Sequence, residues 1–239
     1  RALGYDDRRV FRAASALEFI HCCSLVLDDL PSMDDAKLRR GRPTTHRTFG
    51  VATAILAADA LLMHAFKLVA DNGIDTGADG PTVARAIRDV ATAVGSYGMV
   101  GGQHVDLETA ASEAIDPATL EYIQSRKTGA LFVASATIGG TLWGASEERL
   151  APLVRYSRNL GLAYQIIDDI LDVEGDAGTV GKDVGQDGEK SSFVTVHGIT
   201  AARDAAMRLS AAAVEALSDL DGDPTTLAGV VESCLARTS

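Results

Sequence analysis

HCCSLVLDDLPSMDDAKLRRGRPTTH, residues 21–46, decides how this chain is read. Apolar residues lead into Asp28-Asp29, Asp34 and Asp35 follow, and Lys37, Arg39, Arg40 and Arg42 come next with Gly41 and Pro43 among them. The approach to the acids has apolar residues on more than one helical face, so residues 8–30 are expected to form a central, buried helix. Pro31 ends or bends it. Carboxylates and guanidiniums this crowded would neutralise each other on an ordinary surface. The more economical use is a site for a polyanion, with a hard metal ion between the acids and the ligand. A second acidic run, YQIIDDILDVEGD at 164–176, has the same character far away in sequence.

Composition narrows the rest. Hydrophobic residues make up 46% of the 239 residues and aromatics only 5%, which excludes a disordered chain. Alanine-rich, aromatic-poor apolar content favours helices over a sheet sandwich. With 22 basic and 33 acidic residues the net charge is -11, so nucleic acid is a poor partner. A phosphate ligand stays open to an acidic protein when a divalent metal inverts the local field. Cys22, Cys23 and Cys234 form neither a disulfide framework nor a zinc spacing, which makes a reducing, cytoplasmic compartment the expectation. There is no signal-peptide pattern. Glu18, His21 and Asp59 interrupt the most apolar stretches, so no membrane span of ~20 residues is expected.

Outward from the first motif, a second apolar helix is expected over 51–71, closed by Asn72-Gly73. A surface turn covers 73–80, and Pro81 opens a third helix to about residue 94. GSYGMVGGQHVDLE at 95–108 carries four glycines, which predicts a helix kink or a close backbone approach. Asp116 as N-cap before Pro117 starts a helix that runs through RKTGALF at 126–132 toward Gly139-Gly140. Ser146-Glu147-Glu148 starts another that reaches about residue 172. Residues 174–190 are polar and glycine-rich, and helices over 201–220 and 224–236 finish the chain. With no alternating strand pattern and no linker, the expectation is one all-α domain over 1–239.

Asp168 and Asp172 are four apart, so a helix places them on one face, where like charges repel by a few tenths of a kcal/mol. Ile166, Ile167, Ile170 and Leu171 surround them. A solvated acidic stripe would account for this run taken alone, but acids on a mostly apolar helix call for a cation. All-oxygen ligands point to Mg²⁺. Asp28 and Asp34 are six apart and would diverge on an ideal helix, whereas Asp35 would share the face of Asp28. Spacing does not choose between Asp34 and Asp35. Arg39 and Arg40 suit bidentate recognition of phosphate.

These runs, together with GGQHVDLE, RKTGAL and the GKD and EKSS that follow YQIIDDILD, resemble the trans-type isoprenyl diphosphate synthases of the polyprenyl synthetase family. The likeness covers nearly the whole chain and is closest to bacterial geranylgeranyl diphosphate synthases. It implies the isoprenoid synthase fold, a helical bundle around a deep central cavity, with the acidic motifs on opposing walls and three Mg²⁺ between them. By the same resemblance Asp28, Asp34, Asp168 and Asp172 are metal ligands. Arg39, Lys127 and Lys182 hold the allylic diphosphate, and Thr128 and Gln165 stand near its reacting carbon. His21 and Arg40 hold isopentenyl diphosphate. The implied reaction is the head-to-tail condensation of isopentenyl diphosphate with an allylic partner such as farnesyl diphosphate. The implied assembly is a homodimer. Where farnesyl-producing relatives carry a large aromatic before the first motif, Cys23 and Ser24 are small, so a C20 product, geranylgeranyl diphosphate, is expected.

Two departures stand out. The family's upstream G-K-x-x-R-P motif has no match in 1–27, so the N-terminal helical segment is expected to be missing. Leu27 also stands where many relatives have His. A non-catalytic partner subunit and a class I terpene cyclase are the other readings. The intact aspartate motifs argue against the first, and DDILD argues against the second.

Overall fold

The computed structural model describes residues 1–4, 9–109, 115–174 and 192–238. Helix α1, Phe11–Asp28, ends where the sequence turns toward Pro31. The residue before a proline is pushed out of the helical region, and the chain leaves the helix two residues earlier than expected. Next comes a two-residue hairpin, β1 (Leu38–Arg39) against β2 (Arg42–Pro43), which the absence of alternation did not foretell. Its turn residues Arg40 and Gly41 have φ of 52° and 73°, as a primed two-residue hairpin turn requires. A short helix α2, Thr45–Phe49, leads to α3, Val51–Thr76.

Helix α3 runs five residues past the expected stop at residue 71, because Asn72 has a tertiary task. It is fully buried. Its side chain accepts from the Ala13 backbone N–H at 2.7 Å and donates to the Arg9 carbonyl at 2.5 Å, so it caps the start of α1 instead of closing α3. Gly77, in the left-handed conformation, closes α3. Replacing Asn72 by Ala leaves two inward-facing backbone groups unpaired, each costing about 1–3 kcal/mol. Urea unfolding of Asn72→Ala is therefore expected to show a loss of roughly 2–4 kcal/mol, and a loss under 1 kcal/mol would refute this account.

The remaining elements are α4 (Gly80–Val94), α5 (Met99–Thr109), α6 (Pro117–Ile123), α7 (Ala130–Leu142), α8 (Glu147–Glu174), α9 (Phe193–His197), α10 (Ile199–Ala216) and α11 (Thr225–Leu235). Asp79 and Asp116 cap α4 and α6 through their side chains, and each cap is followed within two residues by proline. Between α6 and α7 the helix widens into a π-helical turn, Gln124–Gly129, where the sequence predicts uninterrupted α-helix.

Two cores result. Alanines 13, 16, 65 and 86 let α1, α3, α4 and α7 pack closely around Ile20, Val69, Val90 and Ile138. The second core joins Tyr156, Leu160, Ile166, Ile167 and Ile170 of α8 to alanines of α10 and to Val231 and Cys234 of α11. Helices α7 and α8 pack together and join the halves. A groove of about 450 Å³ between α4, α7 and α8 is lined by Ala93, Ala130, Thr137 and Leu150 and rimmed by Arg155 and Arg158.

The expectation that no segment reaches membrane-spanning length needs correction. Helix α3 is 26 residues long, and its most apolar 18 residues are only 17% buried. By length and composition it could cross a bilayer, but it packs along α1 as part of the bundle. Its outer face presents Val51, Ile55, Leu56 and Met63 to solvent.

Candidate active site

Both acidic motifs sit at the C-terminal ends of their helices. Asp28 is the last residue of α1, and Asp168 and Asp172 lie in the last two turns of α8. Neither helix has a basic residue in its last turn. Carboxylates there add to the negative end of the helix dipole, and the sum is a field that attracts cations.

Beyond α1 the chain curls back. The Asp34 N–H bonds to the Asp28 carbonyl at 3.0 Å, and those of Met33 and Asp35 bond to the Leu30 carbonyl. This reversal lets residues six apart stay together. Asp35, with φ of 44°, takes a different direction. Its carboxylate accepts from Arg47 at 3.0 Å and lies 3.6 Å from His46 Nε2. His46 is buried against Thr44, whose hydroxyl in turn donates to the Ala36 carbonyl. Asp34 acts electrostatically on Arg39 and Lys127, as Asp28 does.

Arg39 donates from Nε and Nη2 to the buried Asp29, at 3.0 and 2.6 Å. Lys127 donates to Asp106 at 2.7 Å. Burial weakens the Lys127 charge, but Asp28, Asp106 and Asp34 outweigh it and hold the ammonium above its ordinary value. Asp28 accepts from Gln103 Nε2 at 2.8 Å. Gln103 and Asp106 are three apart on α5, one face of which therefore grips the first acidic motif and the lysine together.

The π turn faces both ways. Lys127 reaches the first motif, while the next residue, Thr128, donates to Gln165 Oε1 on α8 at 3.1 Å. Gln165 donates to Asp169, which also accepts from the Phe193 N–H at 2.8 Å and from Gln124 of the π turn. Burial pushes the Asp169 carboxyl up to about 6, against the opposing hydrogen bonds from Gln165 and Phe193. Glycines let both walls close on this turn. A Cβ at Gly102 of α5 would overlap the Lys127 backbone nitrogen, and one at Gly161 of α8 would crowd Gly129. Such π turns recur at functional sites.

The other sequence-predicted residues fall into place around this frame. His21 shares the Asp28 face of α1, two turns earlier. Arg40, exposed at the hairpin tip, acts on the thiol of Cys22, the neighbour of His21. That thiol is raised by burial first and by Glu18 next, with Arg40 opposing. Ser24 lies one turn before Asp28 on the same face and donates to the His21 carbonyl at 2.8 Å. Cys23 is buried on the side toward α3, where Asp59 acts on it. Asp168 accepts from Arg237 at 3.0 Å. Lys182 lies outside the described residues.

Among the described residues, no group of three potential ligands could hold a metal ion unaided. An all-oxygen set split between two walls suits Mg²⁺, which binds through one or two carboxylates, waters and a substrate's phosphates. The sequence reading left Gln103, Asp106, Gln124 and Arg237 out of the site. The first two lie in GGQHVDLE, and their i, i+3 spacing beside a double glycine was the available signal.

A profile described as polyprenyl synthetase matches residues 1–221. The chain belongs to the polyprenyl synthetase family. The farnesyl diphosphate synthase of Geobacillus stearothermophilus is 40% identical over 99% of this chain and 80% of its own length. A putative chloroplastic geranylgeranyl pyrophosphate synthase 8 of Arabidopsis thaliana is also 40% identical, over 92% of this chain. This chain spans only 62% of that relative, so it accounts for less than two thirds of it. The crystal structure of a Helicobacter pylori geranyltransferase complexed with magnesium and isoprenyl diphosphate superposes with a TM-score of 0.82 at 30% identity, covering 95% of this chain and 74% of that one. The fold is thus that of the all-α isoprenyl synthases.

Proposed function

We propose that the protein condenses isopentenyl diphosphate head-to-tail with an allylic diphosphate, farnesyl diphosphate foremost, to give geranylgeranyl diphosphate. One observation carries this reading: the π turn sets Lys127 beside the first acidic motif and Thr128 against Gln165 of the second wall, 3.1 Å apart. Asp28 and Asp34 on one wall and Asp168 and Asp172 on the other are the ligands for Mg²⁺. The bond of Asp35 to Arg47, with His46 Nε2 3.6 Å from the same carboxylate, favours Asp34 over it. When bound, the metal neutralises charge on the diphosphate and assists its departure.

The chain's own residues do the rest. Arg39 and Lys127 hold the allylic diphosphate and stabilise the charge it gains on leaving. To do so Lys127 exchanges Asp106 for phosphate oxygens. The Thr128 hydroxyl donates its hydrogen bond to Gln165 Oε1, and the Gln165 amide N–H donates to Asp169, so the lone pairs of the Thr128 oxygen are left to face the allylic cation. His21 and Arg40 hold the second diphosphate. The homoallylic double bond then attacks, and the departed diphosphate takes the proton. A second copy seated on the exposed apolar face of α3 completes the assembly, and Leu56 and Met63, both over 60% exposed, support that placement.

The test is incubation with Mg²⁺, farnesyl diphosphate and labelled isopentenyl diphosphate, with products separated by length. A C20 diphosphate is expected. A cyclic hydrocarbon with free diphosphate would favour the cyclase, and no product would overturn the reading. Ser24→Phe puts an aromatic one turn below Asp28, on the same face. It is expected to shift products toward C15 when geranyl diphosphate is the primer. An unchanged profile would refute the steric account of chain length.

A further inference from the structure

We propose that Arg237 is a positioning residue for the second acidic motif: stacked on Tyr164, its guanidinium holds Asp168 in the orientation that takes up metal. The inference rests on the reading of Asp168 as a metal ligand. Arg237 donates from Nη2 to Asp168 Oδ1 at 3.0 Å, and its guanidinium carbon lies 4.6 Å from the centre of the Tyr164 ring. Tyr164 and Asp168 are four apart on α8, so one helical face presents both the ring and the carboxylate. A planar guanidinium is the cationic side chain suited to stacking on the one and donating to the other.

The arginine is not carried by a loose tail. It lies in the helical turn Ala236–Thr238 that directly continues α11. Val231 and Cys234 of α11 are buried in the same core as Ile166, Ile167 and Ile170, the apolar residues that flank the acidic motif. Cys234 is one helical turn before Arg237, so the packing that fixes the thiol also fixes the guanidinium. With 36% of its side chain accessible, Arg237 stays partly open to solvent while it holds Asp168. A carboxylate that binds metal is generally held by a hydrogen bond from outside the coordination shell, and loss of that partner weakens metal binding 10- to 100-fold.

The experiment follows Mn²⁺, as a paramagnetic stand-in for Mg²⁺, by electron paramagnetic resonance with inorganic diphosphate present. Arg237→Gln is expected to weaken Mn²⁺ binding about 10- to 100-fold with little change in the unfolding midpoint. Arg237→Lys keeps the charge without the fork and is expected to fall between. Tyr164→Leu removes the platform and is expected to weaken binding by less than Arg237→Gln. Unchanged or tighter binding by Arg237→Gln, with wild-type binding intact, would overturn this proposal alone. So would a lowered unfolding midpoint at unaltered affinity, the sign of a purely structural contact. Failure of the wild-type protein to bind Mn²⁺ with diphosphate would overturn the functional reading, and this proposal with it.

Discussion

Asp28→Asn is expected to lower the condensation rate by about 10³-fold or more while leaving the protein folded. The substitution is chosen to separate charge from shape. Asp28 ends α1 and accepts from Gln103 at 2.8 Å. An asparagine carbonyl accepts the same bond, so the link to α5 survives and only the charge is lost. With it go the metal ligand proposed above and the leading coulombic support of the Lys127 ammonium. Removing one preorganised group that stabilises the developing charge of a transition state costs about 10²–10³ in turnover. In the proposed reaction Asp28 serves the metal and the lysine together, which puts the loss at or beyond the upper end, about 4 kcal/mol of barrier. Steady-state transfer of labelled isopentenyl diphosphate measures it, with the thermal midpoint as control. Turnover within tenfold of the wild-type rate would remove Asp28 from the site.

The sequence disclosed those features that are local in the chain. The helix cap at Asp116, the start of a helix at Pro81, the acidic pair at Asp168 and Asp172, and the all-α class each follow from neighbours within a turn or two. What stayed hidden depends on partners far away. Asn72-Gly73 has the composition of a helix stop, and α3 passes through it because Asn72 caps α1, some sixty residues earlier in sequence. The choice between Asp34 and Asp35 could not be read from spacing, since both lie in a turn whose curl is made by backbone bonds to Asp28 and Leu30. Nothing in the residues around His46 marks it as the buried group that faces Asp35 across the loop. Arg237 offered no local signal at all, because its partner is 69 residues away. The π turn is the clearest case. RKTG has unexceptional helix propensity, and its widening is seen only where α5 and α8 close on it through Gly102 and Gly161.

That closure makes Gly102→Ala the second severe substitution. An added Cβ would overlap the Lys127 backbone nitrogen and crowd its Cα and the Arg126 Cβ. Backbone, unlike the tip of a flexible side chain, cannot step aside, so α5 and the π turn must separate. Overpacking of this kind costs about 1–3 kcal/mol. At this chain length that lowers the thermal midpoint by roughly 2–4 °C per kcal/mol. Activity should suffer far more than stability. Gln103 and Asp106 stand on the displaced helix, and their partners are Asp28 and Lys127, so both sides of the proposed allylic diphosphate site lose register at once. Misplacement of catalytic groups by 1 Å costs about 10²-fold in rate. A drop in kcat of that order, with a midpoint only several degrees lower, is the expected result, read from kinetics well below the midpoint. If kcat held while the midpoint fell, the contact would serve packing alone and α5 would have no part in placing Lys127. The same helix that brings no metal ligand of its own would then have to be set aside as the brace of the site, although its glycine, amide and carboxylate all face the two groups that the reaction needs most.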